Sequence, residues 1–212
     1  MSGPEAEADA HRPELVLATA NPGKRREFAA ILGDVGVQLR TLAEFPETTL
    51  PPEGTDYEAN AVAKARAVAE ATGRPALGDD SGLEVDALDG APGPLSARFG
   101  GPGLDDAGRV EALLEAVRRR GPDAPRGARF VCVAALATHD GRVEVARGAC
   151  PGRLLEAPRG TSGFGYDPVF VPEGETRTMA ELSPAQKHCL SHRGRALAAL
   201  RPAVAALAHR PG

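Results

Sequence analysis

The stretch Glu14–Leu32, ELVLATANPGKRREFAAIL, decides the fold class. Its first six residues, ELVLAT, form a short apolar run bounded by turn residues, the pattern of a buried strand. Asn21-Pro22-Gly23 then opens a helical pattern that puts Phe28, Ile31 and Leu32 on one face. A strand feeding a helix through a tight turn is the building unit of an α/β sheet. Lys24, Arg25 and Arg26 fall in the first turn of that helix, where the dipole favours anions. Their placement is locally unfavourable unless something negative binds there.

VQLR (37–40) predicts a second strand and the Pro-rich stretch Phe45–Thr55 a loop. EANAVAKARAVAEA (58–71) is Ala-rich and helix-prone, and Gly73 and Pro75 end it. ALGDDSGLEVDALDGAPG (76–93) begins as a strand and turns polar at once. Asp105–Arg120 has Val110, Leu113, Leu114 and Val117 at helical spacing, with Gly121 and Pro122 as the stop. ARFVCVAALAT (128–138) and RVEVARGA (142–149) flank His139-Asp140-Gly141, a hairpin signal. Ser191–His209 predicts a helix interrupted near Pro202. The order predicts an α/β architecture with a mixed sheet covered by helices.

With 212 residues, the chain has the length of one ordinary domain. Apolar residues at 42% and charged ones at 25% place it among folded globular proteins. Lys plus Arg (25) against Asp plus Glu (29) gives a net charge of −4, so no global positive field would hold a nucleic acid. The longest nearly apolar run, Ala196–Ala208, is broken by Arg201 and Pro202, which argues against a membrane span. Residues 1–13 carry acids and no apolar h-region, and read as a disordered tail before a single domain over 14–212. Cys132, Cys150 and Cys189 form no CxxC, so free buried thiols in a reducing cytoplasm are expected.

Four polar or Gly-rich islands interrupt the apolar segments: Thr19–Lys24, Asp79–Ser81, Thr161–Asp167, and Lys187 with His192-Arg193. Ligands of α/β folds collect at strand ends and helix N-termini, so the first island suggests a phosphate site. It is not a Walker A loop, because Ala18 stands at the first Gly position and Arg25 follows Lys24. Asp79 and Asp80 are adjacent carboxylates that need water, a proton or a cation between them, and Mg²⁺ suits such hard oxygens. Asp80-Ser81-Gly82 also matches the aspartic-protease tripeptide, but there is no second copy and the Ala-rich helices contradict an all-β domain. Phe164 and Tyr166 among glycines suit the stacking of a planar base.

Taken together and in order, these segments resemble the inosine triphosphate pyrophosphatase family. The resemblance covers residues 14–208 and rests on LATANPGKRREF (17–28), the loop ending Pro52-Glu53-Gly54-Thr55, EANAVAKA (58–65), GDDSGLEVDALDGAPGPLSARFGG (78–101), RFVC (129–132), PRGTSGFGYDPVF (158–170) and MAELSPAQKHCLSHRGRAL (179–197). It implies an elongated mixed sheet with flanking helices, two lobes around a central cleft, and a cytoplasmic homodimer. The implied reaction is hydrolysis of ITP, dITP or XTP to the monophosphate and pyrophosphate with Mg²⁺.

By the same resemblance, Thr19, Ala20, Asn21, Pro22, Gly23 and Lys24 form the phosphate-binding turn, and Asp80 is the general base. Ser81 is a substrate contact beside it. Phe164, Gly165, Tyr166 and Asp167 form the base-recognition loop, and Lys187, His192 and Arg193 are cationic donors to the nucleotide. Glu53 and Asp80 are the expected metal ligands, with Glu47 the alternative to Glu53. Ala59, Ser162 and Pro94-Leu95 depart from the family's usual residues. The rival reading of the same pocket is a nucleotide-binding regulator without turnover.

Overall fold

β1 (Glu14–Leu17) leads into α1 (Pro22–Leu32), as the opening stretch predicts. Asn21 caps the helix by accepting from the Gly23 and Lys24 amides, and Pro22 takes the first helical position, where its missing N–H costs nothing. The computed structural model describes residues 12–208; the expected tail lies, but for Arg12 and Pro13, outside the described residues. β2 (Gln38–Thr41), α2 (Tyr57–Thr72), β3 (Ala76–Val85) and β4 (Pro92–Gly93) follow. α3 (Asp106–Arg118), β5 (Gly127–Ala137), β6 (Val143–Leu154), β7 (Phe170–Pro172), α4 (Pro184–Leu190) and α5 (His192–Leu207) are the remaining strands and α-helices among the described residues. No helix among the described residues is long and apolar enough to cross a membrane.

The seven strands form one mixed sheet in the order β2-β1-β3-β5-β6-β7, with β4 on β3. β1 is parallel to β2 and β3, and the remaining pairs are antiparallel. The predicted β5–β6 hairpin is present, with Thr138 and Arg142 closing it. α2 covers one face through Ala61, Ala65 and Val68 against Val16, Ala76 and Val133. α1 and α5 cover the other through Phe28, Leu32, Leu197 and Val204 against Leu15, Leu77 and Cys132. A separate core, built from Leu83, Phe130, Leu113, Tyr166 and Phe170, makes a second lobe at the far end of the long strands.

Two expectations are corrected. The run beginning at Ala76 does not leave the sheet when it turns polar: β3 continues through Gly78-Asp79-Asp80-Ser81-Gly82 to Val85, paired residue for residue with β5. α5 is not interrupted at Pro202. Its apolar face, with Leu197, Leu200, Val204 and Leu207 in the core, outweighs the roughly 3 kcal/mol a mid-helix proline costs.

β1 pairs only with Ala76 and Leu77 of β3, and β4 only with Leu83 and Glu84. Between them, Gly78–Gly82 has a ladder on its β5 side alone, and this open strand edge is where the two lobes part.

Candidate active site

A cleft of about 410 Å³ runs along that open edge. It is lined by Thr19, Ala20, Asn21 and Lys24 from the β1–α1 turn and by Glu53, Lys64, Asp80 and Ser81 near the strand edge. Phe164, Gly165, Tyr166, Asp167, Lys187, His192 and Arg193 line its other end, with Asp106 and Arg109 of α3. All four islands of the sequence therefore converge. Pro22 and Gly23 stand behind the wall: Pro22 begins α1, and a Cβ on the buried Gly23 would lie 2.6 Å from the Phe164 ring. Gly23 lets that ring close over the helix start.

Successive strand residues point to opposite faces, so Asp79 and Asp80 do not confront each other, contrary to the repulsion expected of adjacent carboxylates. Asp79 is fully buried on the α1–α5 side, where Lys24 Nζ lies 2.9 Å away and Arg193 Nη2 3.3 Å. Burial alone would raise its pKa, but Lys24 and Arg193 outweigh it and hold the carboxyl well below the usual range. The negative partner demanded by the basic helix start is thus, in part, the protein's own Asp79.

Asp80 faces α2. Its Oδ2 accepts from Asn60 Nδ2 at 2.7 Å, its Oδ1 from the Ser81 amide at 2.9 Å, and Lys64 Nζ lies 4.0 Å off. Burial raises its pKa and prevails over the Asn60 hydrogen bond and the Lys64 charge. Gly78 and Gly82 flank Asp80 on this same face. A Cβ on Gly78 would meet the Ala61 carbonyl at 2.6 Å, and one on Gly82 the Gly93 carbonyl at 1.9 Å. Only glycine lets α2 and β4 approach closely enough to enclose the carboxylate.

Asn60 also binds both backbone groups of Gly54, with the amide at 2.7 Å and the carbonyl at 3.1 Å, which ties the acidic loop to Asp80. Arg98 of the second lobe donates to the Glu53 carbonyl at 3.1 Å. Glu53 consequently faces the cleft, its carboxylate 2.6 Å from Lys64 Nζ, whereas Glu47 is not among the lining residues.

At the opposite end, Lys187 pairs with Asp167 at 2.5 Å and Glu27 at 2.8 Å, and Arg193 pairs with Glu27 and Asp79. Burial would lower the Lys187 pKa, yet its two carboxylate partners raise it, so it is charged. Asp167 also accepts from the Phe164 amide at 2.9 Å and so fixes the Gly-rich loop; its own pKa is raised by burial. Lys187 Nζ sits 4.9 Å from the Phe164 ring centre. The Tyr166 ring belongs to the second-lobe core, with its hydroxyl donating to the Ser96 carbonyl at 2.8 Å, which leaves Phe164 as the half-buried ring of the pair.

His192 departs from the expected trio of cations. Burial, reinforced by the charges of Arg193 and Lys187, holds its pKa well below the ordinary histidine range, so the ring is neutral. It stacks on Phe130 at 4.8 Å, and its Nδ1 is buried with no partner among the described residues. Of the cysteines, Cys132 and Cys150 are buried free thiols as expected, while Cys189 is exposed.

Lys64, Asn60, Glu27 and Arg109 were not singled out by their sequence. The available signal was spacing: Asn60 and Lys64 are one helical turn apart on the face that carries Ala61, Ala65 and Val68.

Five cationic side chains around the cleft (Lys24, Lys64, Arg109, Lys187, Arg193) meet six carboxylates (Glu27, Glu53, Asp79, Asp80, Asp106, Asp167). The protein's own charges are therefore balanced, and added phosphate charge calls for a further cation. Among the described residues no group of three or more His, Cys, Asp or Glu side chains forms a cage for a metal ion. Glu53 and Asp80, two hard carboxylates on either side of Lys64, suit a magnesium ion that shares its remaining ligands with phosphates and water.

The family model that matches the chain is that of the Ham1 family, over residues 15–203. The dITP/XTP pyrophosphatase of Deinococcus deserti is 52% identical over 191 residues, covering 90% of this chain and 88% of that protein. That of Streptomyces coelicolor is 48% identical over 193 residues, covering 90% and 96%. A HAM1 protein structure from Coxiella burnetii superposes with a TM-score of 0.82 at 39% identity, covering 91% of this chain and 98% of that one.

Proposed function

The chain belongs to the Ham1 family, and from that premise we propose that it is a nucleoside triphosphate pyrophosphatase that hydrolyses ITP, dITP and XTP to the monophosphate and pyrophosphate. One observation carries the reading: a single cleft holds an enclosed carboxylate of raised pKa, Asp80, near two lysines, and a half-buried ring, Phe164, with neutral His192 at its other end. The curated relatives named dITP/XTP pyrophosphatases support the reaction class.

The triphosphate lies along the strand edge, where Lys24 at the start of α1 and Lys64 bind its oxygens and the helix dipole favours their charge. Asp80 takes the proton from a water that attacks the α-phosphorus, and its raised pKa makes it the stronger base. Glu53 and Asp80 are the side chains that would hold Mg²⁺, which would supply shielding of phosphate charge and activation of water. Phe164 stacks on the base. His192, as the Nδ1–H tautomer, donates to the 6-oxygen, which adenine replaces with an amino donor. Lys187 and Arg193, neutralised by Glu27, Asp79 and Asp167, hold this end in place and polarise it. The buried free thiols accord with a cytoplasmic setting, and we assign the enzyme there as a homodimer.

Incubation with ITP and Mg²⁺ should yield IMP and pyrophosphate, and chelation with EDTA should abolish turnover. Release of IDP and orthophosphate overturns the reading; tight ITP binding without hydrolysis at any Mg²⁺ concentration makes the protein a regulator instead.

A further inference from the structure

A donor to the 6-oxygen does not by itself separate guanine from hypoxanthine. The 6-oxygen of guanine is the same acceptor that hypoxanthine offers, and the two bases differ at position 2. Hypoxanthine carries hydrogen there, xanthine a carbonyl and guanine an amino donor. A residue that separates them must present donors alone to that position.

Arg109 lies on α3 at the Phe164 end of the cleft and lines it. Its guanidinium carries five N–H donors and no acceptor. Among the described residues its Nε is buried without a partner, and its sole ion pair, to Asp106, is long at 3.9 Å. Asp106 is engaged elsewhere: its Oδ2 accepts from the Gly165 amide at 2.7 Å, next to the ring that stacks the base. That bond ties the Gly-rich loop to α3 one helical turn before Arg109, so Arg109 and Phe164 line the same end of the cleft. A part-buried guanidinium whose buried Nε has no partner, on the wall of a ligand cavity, is a site for an acceptor.

We infer that Arg109 reads position 2 of the purine, donating to the 2-oxygen of xanthine, tolerating hydrogen in hypoxanthine and opposing the 2-amino group of guanine. With the base on Phe164 and its 6-oxygen toward His192 on α5, position 2 falls on the α3 side. The amino group of guanine would meet a donor-only cation, two desolvated donors with nothing between them, and this mismatch is what discriminates. The inference rests on the pyrophosphatase reading and adds a specificity residue to it.

The test measures kcat/KM for XTP, ITP and GTP, by pyrophosphate release, in the wild type, Arg109→Gln and Arg109→Lys. In the wild type, XTP and ITP should exceed GTP by at least tenfold. In Arg109→Gln, whose carbonyl can accept from an amino group, the XTP/ITP ratio should fall about tenfold or more and the GTP/ITP ratio rise by a similar factor. Arg109→Lys, which keeps a cation, should move both ratios in the same direction by about threefold, and it carries the test if the glutamine variant does not fold. Wild-type turnover with ratios unchanged in the folded variants overturns the role of Arg109 alone, as does a wild type that cleaves GTP as readily as XTP. A wild type that releases pyrophosphate from none of the three overturns the pyrophosphatase reading itself.

Discussion

Asp79 and Asp80 share a peptide bond and sit on opposite faces of β3, the first between Lys24 and Arg193, the second between Asn60 and Lys64. One position is an electrostatic keystone and the other is chemically poised, so the same substitution should act differently at each. Asp80→Asn should lower kcat for ITP by about 10²-fold or more, the scale of a lost general base, with a KM change below about tenfold. Asp79→Asn should chiefly destabilise, by about 3–5 kcal/mol, because it leaves the buried Arg193 and the part-buried Lys24 short of a partner. Urea melts beside steady-state kinetics separate the two effects. Equal stability losses in the two variants would show that the faces are not distinct.

The pH dependence follows with opposite signs for the two groups. Burial raises the pKa of Asp80 in the metal-free protein, so at sub-saturating Mg²⁺ kcat/KM should rise with pH through a limb lying above the ordinary carboxylate range, and raising Mg²⁺ should move that limb to lower pH. Asp79 is depressed by Lys24 and Arg193 despite its burial. Its stabilising contribution is therefore full above the unfolded value of about 3.9 and lost as pH falls through the lower folded value. The stability gap between wild type and Asp79→Asn, measured by urea titration at a series of pH values, should narrow steadily below about pH 4.

The strand–turn–helix opening and the β5–β6 hairpin were legible because local pattern and turn chemistry determine them. The polar half of β3 was not, since Asp, Ser and Gly are poor strand formers and their pairing with Val133, Cys132 and Val131 is a long-range fact. The site divides the same way. Contiguous islands such as Thr19–Lys24 and Phe164–Asp167 stand out from their surroundings, whereas Lys64, in an Ala-rich helix, looks like an ordinary surface cation until α2 is laid on β3. The neutral state of His192 is not legible in the sequence, because it depends first on burial, and only Arg193 of the two cations that reinforce it is adjacent in the chain.

Gly78 tests whether close helix–strand approach is what equips Asp80. In Gly78→Ala the new methyl would meet backbone atoms of Ala61 and Ala65 at 2.6 and 2.9 Å, which no side-chain rotation relieves. α2 must shift outward and carry Asn60 and Lys64 with it. The expected result is a loss of about 1–3 kcal/mol in stability together with a fall in kcat, although no catalytic group has been changed. A folded Gly78→Ala protein with wild-type kcat would separate the packing from the chemistry.

Lys24 and Lys64 each answer a carboxylate, but they should not be equivalent toward the nucleotide. Lys24 is tied to the buried Asp79 at 2.9 Å and stands at the N-terminus of α1, where the helix dipole adds to its charge toward a phosphate. Lys24→Ala should therefore weaken ITP binding far more than inosine binding, and it should also destabilise the fold because Asp79 keeps only Arg193. Lys64 lies between Glu53 and Asp80, 2.6 and 4.0 Å away, where a divalent ion would compete with it. Removing it leaves the two carboxylates facing each other without a cation, which raises local affinity for Mg²⁺ while withdrawing a donor to the phosphates. Lys64→Ala should then reach half-maximal activity at lower Mg²⁺ than the wild type but with a reduced kcat. Titrating Mg²⁺ at saturating ITP in both variants distinguishes the roles: a leftward shift is expected for Lys64→Ala alone, and a matching shift in Lys24→Ala would mean that the metal is held at the helix start and not between Glu53 and Asp80.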